Sequence, residues 1–389
     1  HLSFAPNTLT VEEWDNTFGK VYGGLIEAGL PSIMTGHMAL PEYVRHFKSD
    51  ATTEELATPA SLSHIVLQNL LRDKLNFNGV IVTDASHMVA MTSFMKRRDM
   101  LPTAIAAGCD LFLFFNDPEE DFKWMMEGYE KGIITEQRLE EALTRILGLK
   151  ASLGLHAKAK TEILQPKEVA MAKMRTEKNM AIAPEISDKA ITLVKNNQEL
   201  LPITPEKHKR VLLVEVKGPE SAYGKLMAAM SAGKKKPIEL MKEMLEKDGF
   251  EVEIYESPID KMLKLPPQEL LGAIMNVYAQ KRPISDLTNN YDLIINVADV
   301  PPTTDQRIQW APLKGTPDIP FYVNEVPTIF VSLQCPFHLA DVPQVKTYIN
   351  AYDSHDHTVS AIVDKLVGRS EFKGVSPVDA FCGFIDTRM

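Results

Sequence analysis

Apolar positions in this chain fall into short unbroken runs separated by amphipathic stretches. Val80-Ile81-Val82 follows Gly79 and stops at Thr83-Asp84. Its β-branched residues show no polar alternation, which predicts a strand buried on both faces, as in a parallel α/β sheet. Ser32-Ile33-Met34-Thr35 predicts a second strand ending at Gly36-His37, and residues 109–115 a third. Between them the pattern is helical. In residues 10–29, Thr10 can cap, Glu12 and Glu13 sit in the first turn, and Trp14, Phe18, Val21, Tyr22 and Ile26 form the apolar face. Residues 61–75, 102–108 and 119–131 read as further helices. Thr135 caps a last one through residue 149, with Glu136, Glu140 and Glu141 early and Arg145 and Lys150 late, as the helix dipole prefers. Residues 41–59, rich in Pro, Thr and charge, read as a loop.

Residues 1–155 therefore hold three strand–helix units. Residues 156–185 are charged and read as a linker plus a helix carrying Met171 and Met174. Residues 186–389 alternate again. Strands are predicted at 211–216, 252–255, 293–297 and 328–333, and helices at 238–247, 267–280 and 357–366. Repeated βα units imply an α/β sandwich with a mainly parallel sheet.

Composition narrows the class. With 389 residues, 44% hydrophobic and 24% charged, the chain reads as a soluble globular protein of two or three domains. Its net charge of −10 argues against a nucleic-acid partner, which calls for a basic footprint. The basic run Lys234-Lys235-Lys236 reads as a solvated loop. Lys217-Gly218-Pro219-Glu220-Ser221 lacks the spacing of a phosphate-binding loop and reads as a turn. Cys109, Cys335 and Cys382 are far apart and imply neither a disulfide framework nor a zinc site. Cys109 is assigned to the core, and a reducing, cytoplasmic compartment is the expectation. No run approaches the ~20 apolar residues of a membrane span.

The chemistry centres on Asp84. In a barrel of parallel strands the residue at a strand's C-terminal end faces the active-site mouth, so a catalytic carboxylate belongs there. An N-cap for the following apolar helix is the other reading of the same residue. His37 also ends a strand, either lining that mouth or packing beneath it. His87 reads as loop, and Trp14 and Trp124, set in helical patterns, as core. His355-Asp356-His357 has no third ligand spaced near it and opens a helix, so capping is preferred to metal binding.

The order helix, Phe77-Asn78-Gly79 turn, strand, Thr83-Asp84 and then Met88 resembles the nucleophile segment of glycoside hydrolase family 3. The resemblance extends through Met34-Thr35-Gly36-His37-Met38, Ala107-Gly108-Cys109-Asp110-Leu111, Gly132-Ile133-Ile134-Thr135-Glu136 and Leu153-Gly154-Leu155. It continues in Ser187-Asp188-Lys189-Ala190-Ile191-Thr192, which is similar to the opening of the family's second domain. His1-Leu2-Ser3 is similar to the tail of a loop motif in the family's bacterial β-N-acetylhexosaminidases. The resemblance implies the C-terminal portion of a TIM-like (β/α) barrel in residues 1–155, followed by the α/β sandwich of residues 186–389. It implies hydrolysis of terminal β-linked N-acetylglucosamine with retention, through a covalent glycosyl ester on Asp84. His1 would be the acid/base in place of the usual second carboxylate, and His37 and Met88 would contact the substrate. The implied partner is a carbohydrate with N-acetylglucosamine; no metal or cofactor is implied.

A closed parallel barrel uses eight strands over about 250 residues, and three would leave open edges. The expectation is that the earlier part of the barrel precedes His1 or is supplied by a partner. An open sheet completed by later strands is the alternative. Competing functions are a family 3 β-glucosidase, a phosphorolytic variant, and an inactive or partner-completed fragment.

Overall fold

The computed structural model describes residues 5–218, 235–301, 308, 310 and 315–389. His1 lies outside the described residues, as do Lys234 and most of the turn at 217–221. The chain divides into two compact units, His1–Lys167 and Glu168–Met389.

In the first unit, β1 (Ser32–Thr35), β2 (Val80–Ala85) and β3 (Leu111–Leu113) form a parallel sheet with β2 in the middle. Ser32 lies opposite Val80 and Thr35 opposite Thr83, so β1 and β2 end level with each other. The later strands form a sheet of their own, so the alternative of one continuous sheet is not realised. β3 is shorter than its apolar run. At Asp110 the backbone N–H donates to the Ile81 carbonyl at 2.7 Å while the side-chain carboxylate accepts the Ile81 N–H at 2.9 Å, and Phe114 and Phe115 are exposed.

The carboxylate of Asp110 is wholly buried. It pairs with Arg72 at 2.9 Å, contacts Arg138, and has Arg145 at 3.6 Å. Arg72 also donates to the carbonyls of Phe77 (2.8 Å) and Gly79 (2.6 Å). These bonds tie down the start of β2, the end opposite Asp84.

Residues 41–59 are a correction. They form two helices, Pro41–Phe47 and Thr53–Ala57, rather than a loop. Pro41 sits in the first turn, where its missing N–H costs no hydrogen bond. Thr52 and Glu55 form a capping box: Thr52 N–H donates to Glu55 Oε2 at 2.8 Å, and Glu55 N–H to Thr52 Oγ1 at 3.3 Å. The first predicted helix is also only partly amphipathic as expected. Trp14, Tyr22 and Ile26 pack inward, while Phe18 and Val21 are exposed.

In the second unit six strands run in the order β4-β9-β8-β7-β5-β6. They are β4 (Thr192–Asn196), β5 (Arg210–Val216), β6 (Glu251–Ile254), β7 (Leu293–Ala298), β8 (Thr328–Ser332) and β9 (Thr347–Asn350). All pairs are parallel except β4 with β9. Helices Pro237–Lys247 and Asp356–Leu366 pack Met241, Leu245, Ile362 and Leu366 onto Val211, Leu213, Leu293 and Ile295. The alternate positions Leu212, Val214 and Ile294 pack on the other face with Tyr322 and Val326. Helices Lys160–Ile163, Lys167–Met174 and Glu177–Ala190 precede β4.

The pair flanking Asp356 does not cap by side chain. His355 occupies the N-cap position of Asp356–Leu366 without a capping hydrogen bond. Its Nδ1 instead meets Asp353 Oδ1 at 2.6 Å, and Asp353 also receives the Thr358 hydroxyl. Among the described residues no group of three or more His, Cys, Asp or Glu side chains is placed to hold a metal, and no helix is long and apolar enough to cross a membrane.

Candidate active site

Asp84 is held at the end of the central strand by what lies before and after it. Thr83, just before it, is fully buried, and its Oγ1 accepts the Leu113 N–H at 3.0 Å, tying β2 to β3. Asp84 itself is half-buried, and its Oδ1 accepts the N–H of Ala85 at 2.7 Å. The capping alternative is not realised. The short helix Val89–Thr92 that follows takes Met88 as its N-cap, with no side-chain cap.

His37, at the end of β1, is 3% exposed. Its Nε2 lies 3.0 Å from the Ala85 carbonyl oxygen and its Nδ1 2.7 Å from Ser61 Oγ. A carbonyl only accepts, so Nε2 carries the ring proton and Nδ1 accepts from the Ser61 hydroxyl. Burial pushes the ring's pKa below the ordinary histidine value, against the opposing pull of the Ala85 carbonyl and the Asp84 charge. Both ring nitrogens of His37 are thus engaged within the protein. The Ala85 carbonyl also accepts the Met88 N–H at 3.0 Å, which closes the turn after the strand. Met88 is half-buried there, and His87 is exposed, its ring 6.2 Å from that of Phe114.

The far side of the turn is clamped by Arg97. Ser86 is fully buried and donates to the Phe114 carbonyl at 2.6 Å. Arg97 Nη1 donates to Ser86 Oγ at 3.1 Å, and its Nη2 to the Phe114 carbonyl at 3.1 Å. Asp121 holds the guanidinium in a fork, at 2.8 Å from Nε and 2.6 Å from Nη2. Burial alone would raise the Asp121 carboxyl, but the Arg97 bonds and the Asn116 N–H outweigh it and hold the pKa below the usual carboxylate range. Ser61, Arg97 and Asp121 were not identified from the sequence. Arg97 and Asp121 are 24 positions apart on different helices, and no local pattern announces such a pair.

Of the residues assigned to the site from sequence, Asp84, His37 and Met88 meet around the single residue Ala85. The arrangement offers one half-exposed carboxylate at a strand end on a backbone braced from both flanks.

Residues 1–149 match the glycosyl hydrolase family 3 N-terminal domain. All of the chain aligns at 38% identity with a beta-N-acetylglucosaminidase/beta-glucosidase of Cellulomonas fimi, covering 64% of that protein. The solved structure of a beta-glucoside phosphorylase, BglX, superposes with a TM-score of 0.84 at 38% identity, over 100% of this chain and 64% of that one. A beta-hexosaminidase of Hydrogenovibrio crunogenus is 36% identical over 118 residues, 30% of each protein. The chain thus spans just under two thirds of the length of the full-length relatives it matches.

Proposed function

We propose that the chain is part of a glycosyl hydrolase family 3 enzyme, the family whose N-terminal domain matches residues 1–149, and that the whole protein cleaves terminal β-linked glucosides with retention at the anomeric carbon. The fold is the family's, with part of a parallel (β/α) barrel followed by an α/β sandwich. The observation that carries the proposal is Asp84, a carboxylate ending the central parallel strand on a braced turn. In the first step a carboxylate oxygen attacks the anomeric carbon, the glycosidic bond breaks, and a protonated leaving oxygen departs. In the second, an incoming oxygen nucleophile gives up its proton and displaces Asp84. His1 is proposed as the group that gives and then takes that proton, since an imidazole with a pKa near ~6.5 can do both at neutral pH.

Glucosides take precedence over N-acetylglucosaminides because both relatives at 38% identity carry a glucoside activity in their names. The similarity to the Hydrogenovibrio beta-hexosaminidase spans a shorter stretch. Terminal β-linked N-acetylglucosamine stays as the second reading, since the Cellulomonas relative's name includes it. The deciding assay compares aryl β-glucoside with aryl β-N-acetylglucosaminide, each with and without inorganic phosphate. Faster turnover of the glucoside is expected. Preference for the N-acetylglucosaminide would restore the second reading, and a rate that depends on phosphate would make phosphate the second nucleophile.

A further inference from the structure

We infer that His37 is a positioning residue for the nucleophile, acting through the Ala85 peptide rather than on the sugar. The inference rests on the reading of Asp84 as the nucleophile. Ala85 is the only residue between the Asp84 carboxylate and the turn, and both its backbone groups are committed. Its N–H points at Asp84 Oδ1 (2.7 Å), and its carbonyl accepts from His37 Nε2 (3.0 Å) and from Met88 N–H (3.0 Å). A carbonyl oxygen has two lone pairs, so these two donors fill it. The carbonyl belongs to the Ala85–Ser86 peptide and the N–H to the Asp84–Ala85 peptide, so His37 and Met88 anchor one plane and constrain the other through the two backbone dihedrals of Ala85 that join them. That N–H engages Oδ1 and leaves Oδ2, to which no hydrogen bond is present among the described residues, as the oxygen that attacks.

Ser61 makes the strut specific. It is fully buried, and its hydroxyl donates to Nδ1, which keeps the proton on Nε2, the nitrogen facing Ala85. A ring with the other tautomer would present a lone pair to the carbonyl oxygen and repel it. The pair joins three segments that are distant in sequence: His37 after β1, Ser61 before the helix Ile65–Lys74, and Ala85 at the end of β2.

The test is covalent labelling of the full-length protein with an aryl 2-deoxy-2-fluoro-β-glucoside, followed by mass spectrometry of the labelled peptide. It compares His37→Gln, which keeps an N–H donor near the Nε2 position, with His37→Met, which fills the volume without a donor. The labelling rate constant at saturation is expected to fall about 100-fold in His37→Met, the scale of misplacing a reacting group by about 1 Å. His37→Gln is expected to recover most of the rate, and the half-saturating concentration to stay unchanged in both. Equal rates in the two variants, or a change confined to half-saturation, would overturn the inference. If His37→Met does not fold, Ser61→Ala decides. Loss of the Ser61 bond, which with the Ala85 carbonyl fixes the tautomer and holds the ring, is expected to slow labelling about tenfold, and an unchanged rate overturns the inference. Wild-type protein that takes no label on Asp84 would overturn the parent reading, and this inference with it.

Discussion

The two sheets of this chain are held in different ways. In the six-stranded sheet, β7, β8 and β9 are buried at every position, and apolar side chains cover both faces. In the three-stranded sheet, the outer strands β1 and β3 expose Met34 (54%) and Leu111 (42%). Order at the ends of the smaller sheet comes from directional polar contacts instead. Asp110 and its arginines hold the start of β2, while His37–Ser61 and Arg97–Asp121 hold its end. Apolar packing is non-directional and resists loss of the core. Hydrogen bonds and ion pairs set the angle of a particular peptide, which is what a nucleophile needs. The proposed nucleophile thus lies in the sheet whose outer strands expose apolar side chains and whose strand ends are fixed by polar contacts.

The sharpest way to break this contrast is Asp84→Ala. Turnover is expected to fall on the order of 10⁴-fold or more, while stability changes by no more than about 0.5 kcal/mol, because the carboxylate is half-exposed and contributes little packing. Near-normal activity with an intact melting curve would remove the assignment. Asp110→Ala tests the opposite end of the same strand. It leaves Arg72 and Arg138 buried without their carboxylate, so a loss of about 3–5 kcal/mol is expected, read by denaturant unfolding and by faster amide exchange in β1–β3. A loss below about 1 kcal/mol would mean that packing, not the ion cluster, holds this sheet.

His338 probes the second unit. Ser332 donates its hydroxyl to the Cys335 carbonyl at 2.6 Å, so at 2.9 Å it accepts from His338 Nδ1–H. Nε2 is then an unprotonated, buried nitrogen with no hydrogen-bond partner among the described residues, and burial pushes the imidazole from 6.5 down to about 4. The unfolded chain takes up this proton before the folded one does. Stability is therefore full above pH 6.5 and falls as pH drops through 6.5 toward 4, by about 3 kcal/mol in all. Urea unfolding between pH 7.5 and 4 measures the slope, and His338→Gln should reduce it. The smallest effect expected is that of Met34→Thr on β1. An exposed side chain gives a change within about 0.5 kcal/mol, and a larger loss would show that β1 is covered in the whole protein.

Much of this was legible along the chain. Val80-Ile81-Val82 stopping at Thr83-Asp84 determined a buried strand with a carboxylate at its end. Alternating βα runs determined β5 to β8 of the second sheet but not its strands β4 and β9, and in the first unit Thr135 determined the start of the helix Glu136–Ser152. These features depend on near neighbours: side-chain branching, apolar periodicity and capping. Pro41 misled because proline reads as a breaker unless the first turn of a helix is recognised around it. What only the tertiary structure decided is which polar groups meet. His37 finds Ser61 24 positions away and Ala85 48 positions away, and Asp110 gathers Arg72, Arg138 and Arg145. Burial and hydrogen-bond angle depend on segments that the parallel sheet brings side by side, and no short-range pattern encodes that distance.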